Sequence, residues 1–216
     1  MGTPSSILLS TAYLPPVQYI SKFLMYEKVL IEKHEHLQKQ SYRNRCYIYG
    51  ANGRQCLVIP LKKKHDKKAL ITDVEIDYEK NWKKVHLKSI ESAYRLSPFY
   101  EYYADDLAAC FETNPRHIFN LNHGLLSFLL RALDIRKKIL TTRAYKKIAE
   151  HAIDMRQSIH PKARLALPDP CFEPVSYQQV FQERYGFQPN LSTIDLLFNE
   201  GPQAVKILEN SIRIHV

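Results

Sequence analysis

The segment "CYIYGANGRQCLVIP", residues 46–60, constrains the fold more than any other stretch of the chain. Asn52-Gly53 sits between two apolar runs, and these two residue types accept the positive φ that a tight two-residue hairpin turn demands. The pattern predicts an antiparallel ribbon in which Ala51 faces Arg54, Tyr49 faces Cys56 and Cys46 faces Ile59. Side-chain alternation then puts Cys46 and Cys56 on opposite faces, which argues against a disulfide between them. A two-stranded ribbon is marginal alone, so the rest of the chain must supply its core.

That supply is visible on both sides. Ile7-Leu8-Leu9 reads as a short buried strand, and Pro15-Pro16 then imposes an extended approach to a helix with Val17, Ile20, Phe23 and Leu24 on one face. "VLIEKHEHL" reads as a strand with Val29 and Ile31 on one parity and His34 and His36 on the other, and Ile71, Val74 and Ile76 suggest another strand or its approach. From Asn81 the periodicity becomes helical. Trp82, Val85, Ser89, Ile90 and Ala93 share a face behind an Asn81 cap. Ser97-Pro98 opens a second helix carrying Tyr103, Leu107 and Phe111, and Leu121, Leu125, Leu126, Leu129 and Leu133 mark a third.

Residues 134–175 mix a possible strand, a polar helix and proline-delimited pieces. A short helix follows, stopped by Gly186, and two more are joined at Gly201-Pro202. Strands gather early and helices late, which predicts an α+β fold in one integrated domain over 1–216, with an internal seam near residue 80.

Charge is uneven. The chain carries a formal +9, and residues 1–95 hold 17 basic against 9 acidic side chains. The excess lies in "KHEHLQKQSYRNR" and "KKKHDKK", on either side of the hairpin. Such a field suits nucleic acid, a phosphorylated substrate or solvent. No apolar run reaches the 18 residues of a membrane span, and the first 20 residues lack the basic and apolar regions of a signal peptide. Four cysteines without local pairs suit a reduced, cytoplasmic chain. With six glycines the chain has neither GxGxxG nor GxxxxGK[ST], and no GxSxG elbow occurs, so no cofactor is specified.

Two groups of residues carry candidate chemistry. His34 and His36, alternating on the expected strand, are the candidates for proton transfer. No third ligand accompanies them, so no metal site is assigned. Lys39, Tyr42, Arg43, Asn44 and Arg45 form the candidate substrate-binding segment, because Lys and Arg attract phosphate or carboxylate while Tyr and Asn orient it by hydrogen bonds. Asp73, Glu75 and Asp77 alternate as a carboxylate cluster on a strand would.

The ordered blocks "AYLPPVQYISKF", "KQSYRNRCYIYGANGRQCLVIPL", "ITDVEIDYEKNWKKVHLKSIESAYRLSPFYEYYADDL" and "YQQVFQERYGFQPNLSTIDLLFNEGP" together resemble the WbqC-like family. The resemblance implies a role in bacterial surface-polysaccharide, or O-antigen, synthesis. The expected protein is a cytoplasmic enzyme acting on an anionic activated sugar or an amino sugar, with acyl or amidic group transfer as a reaction class. The alternative is a non-catalytic scaffold or a polyanion-binding or nucleic-acid-binding protein. The family's Lys-x-Ser-aromatic-x-Asn-Arg pattern is present as Lys39, Ser41, Tyr42, Asn44 and Arg45, whereas its N-terminal His-Gln-Pro is replaced by Ser10-Thr11-Ala12.

Overall fold

A computed structural model describes residues 5–62, 69–149 and 152–213. Most of "KKKHDKK" therefore lies outside the described residues. The fold is α+β. Its centre is a four-stranded parallel sheet in the order β5-β2-β1-β6, formed by β1 (Ser6–Ser10), β2 (Lys28–Glu32), β5 (Ile139–Thr141) and β6 (Ile153–Asp154). β1 pairs in register with β2 from Ser6↔Lys28 to Ser10↔Glu32. Parallel neighbours require a crossover, and helix α1 (Val17–Met25) supplies it. Ile7 and Leu9 of β1 are fully buried and Leu8 nearly so, as expected of a central parallel strand covered on both faces. Burying each such side chain is worth roughly 1.5–3 kcal/mol.

The hairpin is present with a corrected register. β3 (Arg45–Gly50) and β4 (Gly53–Val58) pair Gly50↔Gly53, Tyr49↔Arg54, Tyr47↔Cys56 and Cys46↔Leu57, leaving Ala51-Asn52 as the turn. The reason lies in the backbone. Neither turn residue takes a positive φ, and within the hairpin, residues 45–58, the only left-handed residue is Gly53, at φ 94°. The glycine is spent just after the turn instead of within it, as in hairpins that close through a bulge. Cys46 is buried and Cys56 exposed on the opposite face, and all four cysteines are free.

The helices follow their apolar faces. α2 (Trp82–Tyr94) buries Trp82, His86, Ile90, Ala93 and Tyr94. Val85, expected on that face, is 59% exposed, and His86 takes its place. Asn81 makes no side-chain cap bond. α3 (Tyr100–Glu112) begins two residues later than Ser97-Pro98 implies and buries Tyr103, Leu107 and Phe111. The Phe99 amide instead donates to the Phe198 carbonyl at 3.0 Å. α4 (Ile118–Ala132) inserts Leu121, Leu125, Leu126 and Leu129. α5 (Gln182–Tyr185) stops at Gly186, φ 72°, and α6 (Thr193–Glu200) meets α7 (Ala204–Asn210) through Gly201-Pro202. The apolar cluster draws on side chains before and after residue 80, from Ile7 and Val29 to Ile90, Leu125 and Leu208.

Two expectations about local structure are overturned. Ile71, Val74 and Ile76 form no continuous strand: Ile71–Asp73 is a 3-10 turn, followed by isolated bridges Leu61↔Ile76 and Glu75↔His117. No polar helix forms among the described residues of 143–160, which contribute instead the two-residue strand β6.

Candidate functional site

All four sheet strands run the same way, so their carboxyl ends share one edge. β1 leads to β2 on one side and has β6 on the other, which makes the β1/β6 junction a topological switch point, where open α/β sheets place their ligands. At this edge β2 ends on Glu32, a carboxylate with no solvent exposure. One Glu32 oxygen accepts from the His34 amide at 2.9 Å and from the Thr142 hydroxyl at 2.6 Å. The other accepts from Arg156 Nη1 at 3.1 Å.

Arg156, 4% exposed, is consumed by this edge. It also reaches Asp154 through Nε at 3.0 Å and Nη2 at 2.6 Å, and donates to the Lys146 carbonyl at 2.9 Å. The Tyr145 ring lies over its guanidinium, 4.8 Å from centroid to Cζ. The Ser10 hydroxyl at the end of β1 donates to the Arg156 carbonyl at 2.6 Å. Glu32, Arg156 and Ser10 thus join three strand ends.

A second buried pair stands beside the first. Arg43, 3% exposed, grips Glu35 with both Nε, at 2.9 Å to Oε1, and Nη2 to Oε2. Its Nη1 donates to Gln38 Oε1 at 3.0 Å. The segment folds this way because the Ser41 hydroxyl closes a turn on the Gln38 carbonyl at 2.6 Å, with Gln40 at φ 60°. Asn122 then holds the Arg43 carbonyl at 2.8 Å and the Tyr13 amide holds that of Tyr42 at 2.8 Å. Burial raises the Glu35 pKa above the ordinary carboxylate range, against the opposing pull of Arg43.

Between these pairs opens a cleft of about 450 Å³, lined by His34, Glu35, His36, Gln38, Tyr145 and Arg156 among others. His34 is half-buried, and its Nε2 is enclosed without a hydrogen-bond partner. His36 is exposed and its Nδ1 lies 3.2 Å from the Ala69 carbonyl. β2 stops at Glu32, so the shared strand face expected of the two histidines does not exist; the cleft brings them together instead. Another cleft of similar volume lies at the start of β5, lined by Arg131, Arg136 and Lys137, away from this edge.

The basic segment is divided. Lys39 is exposed, Tyr42 and Arg43 are buried, and Asn44 and Arg45 are half-buried. Tyr42 is 7% exposed, with its phenol pushed up to about 12 by burial. The Asn44 amide donates to the Ile59 carbonyl at 3.1 Å, fastening β3 to the end of β4. Of these five residues, none but Arg43 touches the buried network, through Glu35. Arg156, Glu32 and Tyr145 escaped sequence reasoning. The signal available was Glu32 itself, a lone carboxylate ending an apolar strand, which demands a buried cation.

Other candidates have structural partners. His86 Nδ1 lies 2.8 Å from the Tyr13 hydroxyl, and burial pulls its pKa down to about 4. Glu75 bonds Arg116 at 2.6 Å and Lys62 at 2.8 Å, and these bonds, Arg116 first, lower its pKa to about 2. Among the described residues no group of three or more His, Cys, Asp or Glu has the placement to hold a metal ion. None of their helices is long and apolar enough to cross a membrane.

The model of the WbqC-like protein family matches residues 11–167, a span containing both buried pairs apart from their surroundings beyond Leu167. The chain is also 24% identical over 213 residues to the uncharacterized protein Rv1507c of Mycobacterium tuberculosis, covering 89% of each chain. No solved structure matches it.

Proposed function

The chain belongs to the WbqC-like protein family, and we propose that it is a cytoplasmic enzyme of surface-polysaccharide synthesis that holds a sugar derivative in the cleft at the carboxyl edge of the parallel sheet. The observation that carries this reading is the cleft that gathers His34, whose Nε2 has no hydrogen-bond partner, beside Glu35, Gln38 and Arg156, which are held by Arg43, Glu32 and Asp154. Both guanidiniums are answered: Arg43 by Glu35, Arg156 by Glu32 and Asp154. The cleft therefore offers few uncompensated cations and many hydrogen-bonding groups, which favours a polyhydroxylated or amino-bearing ligand over a polyanion. This weighs against the nucleic-acid alternative, which needs free cations in a row.

In this reading His34 takes the proton from a sugar hydroxyl or amine as that group attacks the carbonyl carbon of an acyl or amidic donor, and returns it to the donor's leaving group as the carbon–leaving-group bond breaks. Glu35, Gln38 and Arg156 orient the ring. The two ion pairs fix the cleft's walls, as preorganised catalysis requires. Hydrogen exchange with a panel of amino sugars, nucleotide sugars and acyl donors tests the assignment. At least one sugar ligand is expected to protect residues 32–38 and 154–157, and His34→Gln is expected to abolish turnover of that ligand while leaving the protection. A panel that protects neither segment refutes the site.

A further inference from the structure

One wall of the cleft has no part in the chemistry proposed for His34. Tyr145 lines the cleft and is 53% exposed, although one face of its ring is covered by the Arg156 guanidinium, 4.8 Å from centroid to Cζ. Single exposed aromatics on an open surface need no explanation. This one is held in place from both sides. Three residues before it, the Thr142 hydroxyl donates to Glu32 at 2.6 Å, and just after it the Lys146 and Lys147 carbonyls accept from Arg156 Nη2 at 2.9 and 3.4 Å. Glu32 and Arg156 are buried and paired with each other at 3.1 Å. One buried ion pair therefore fixes the segment after β5 on either side of Tyr145, and the ring stands at the cleft without joining the apolar core.

The Arg156 contact does not account for the ring. That guanidinium already has carboxylates from Glu32 and Asp154, so its charge is met without an aromatic face. Leu37 is the other apolar side chain of the lining, and the rest carry nitrogen or oxygen, Glu35, Gln38 and Gln157 among them. A cleft of about 450 Å³ with one aromatic wall and polar groups around it fits a ring that is apolar on a face and polar along its edge. A pyranose has that form. Its C–H hydrogens gather on the ring faces, where the negative face of an aromatic ring attracts them, and its hydroxyls project outward to meet carboxylate and amide groups.

We propose that Tyr145 is the residue on which the sugar stacks, a C–H face of the pyranose lying against the aromatic ring and the hydroxyl edge turned toward His34, Glu35 and Gln38. The assignment rests on the sugar reading of the cleft and adds to it the contact that selects a pyranose. The Glu32–Arg156 pair holds the segment before a ligand arrives, so little ordering remains to be done on binding.

The test is titration of the full chain with glucosamine, N-acetylglucosamine and UDP-N-acetylglucosamine, with UDP as the sugar-free control, followed by hydrogen exchange across residues 32–38 and 154–157. Tyr145→Ala is expected to weaken the sugar that protects these segments at least about tenfold, and Tyr145→Phe to bind it within about twofold of the parent. Tyr145→Trp supplies a readout that a merely structural role would not move. The chain's single tryptophan, Trp82, is 5% exposed, so a sugar-dependent change in emission that the variant shows and the parent lacks reports contact at the new indole. Protection with equal affinity in Tyr145→Ala and no emission change in Tyr145→Trp overturns the stacking role while leaving the sugar cleft standing. Protection by none of the three sugars removes both. Protection and emission change produced equally by UDP alone assign the ring to a nucleobase and overturn the pyranose contact.

Discussion

Replacing Arg43 by Gln separates a framework role from a ligand-binding one. The guanidinium is 3% exposed and makes three side-chain bonds, two to Glu35 and one to Gln38. Removing it strands a carboxylate that is itself 4% exposed. Breaking one side of such a pair costs about 3–5 kcal/mol, because the remaining charge stays buried and unanswered. For a chain of this size that corresponds to a fall in Tm of about 10 °C. Urea denaturation gives the free energy directly. The loss is expected to shrink in acid: Arg43 lowers the Glu35 pKa, so in the variant Glu35 takes its proton at higher pH, and once both proteins carry it the buried charge is gone. The double variant Glu35→Gln with Arg43→Gln is expected to recover most of the stability. A single variant within about 0.5 kcal/mol of the parent, as for a free surface arginine, refutes the framework role.

Two buried groups set opposite pH slopes. Asp195 accepts from Tyr94, Tyr177 and Gln179, yet burial raises its pKa to about 6. The folded state therefore holds its proton more tightly, and stability on the order of 3 kcal/mol is lost as pH rises from about 4 through 6. Asp195→Asn is expected to abolish that loss in urea titrations at pH 4.5 and 7.5. His86, with its pKa lowered to about 4, contributes stability that is full above pH 6.5 and lost as pH falls toward 4. His86→Phe is expected to flatten that acid limb, and an unchanged profile in either variant contradicts the assignment. Gly53→Ala meets no atom within 4 Å and suffers only the positive-φ strain, about 1 kcal/mol. Gly201→Ala combines positive φ with a Phe99 ring 2.5 Å from the new Cβ and is expected to lose distinctly more, measured by thermal denaturation. Equal losses would show that the Phe99 packing is not tight.

What the sequence made legible was local. Val17, Ile20 and Phe23 recur at helical spacing, as do Tyr103, Leu107 and Phe111, and each set is buried in its helix. Periodicity misplaced Val85 because α2 packs through His86, whose bond to Tyr13 lies 73 residues away in the chain. The hairpin was readable but its register was not, since Asn-Gly tolerates two turn geometries and the local pattern does not choose between them. β6 is two residues long, and its place beside β1 is fixed by Ile7↔Ile153 and Leu8↔Asp154, contacts that leave no local pattern. The same distance hid the site. Arg43 was legible as a basic residue, but the use of its charge depends on Glu35 folding back onto it, and Arg156 meets Glu32 from 124 residues away.

The central claim is that the carboxyl edge of the parallel sheet, around the partnerless His34 nitrogen, receives a sugar. Hydrogen exchange across residues 32–38 and 154–157, with and without saturating nucleotide sugars and amino sugars, tests it most directly. The expected result is protection of both segments together by one ligand, with the face of α2 around Val85 unchanged. Protection confined to surfaces away from this edge, or none from any sugar in the panel, would contradict the account.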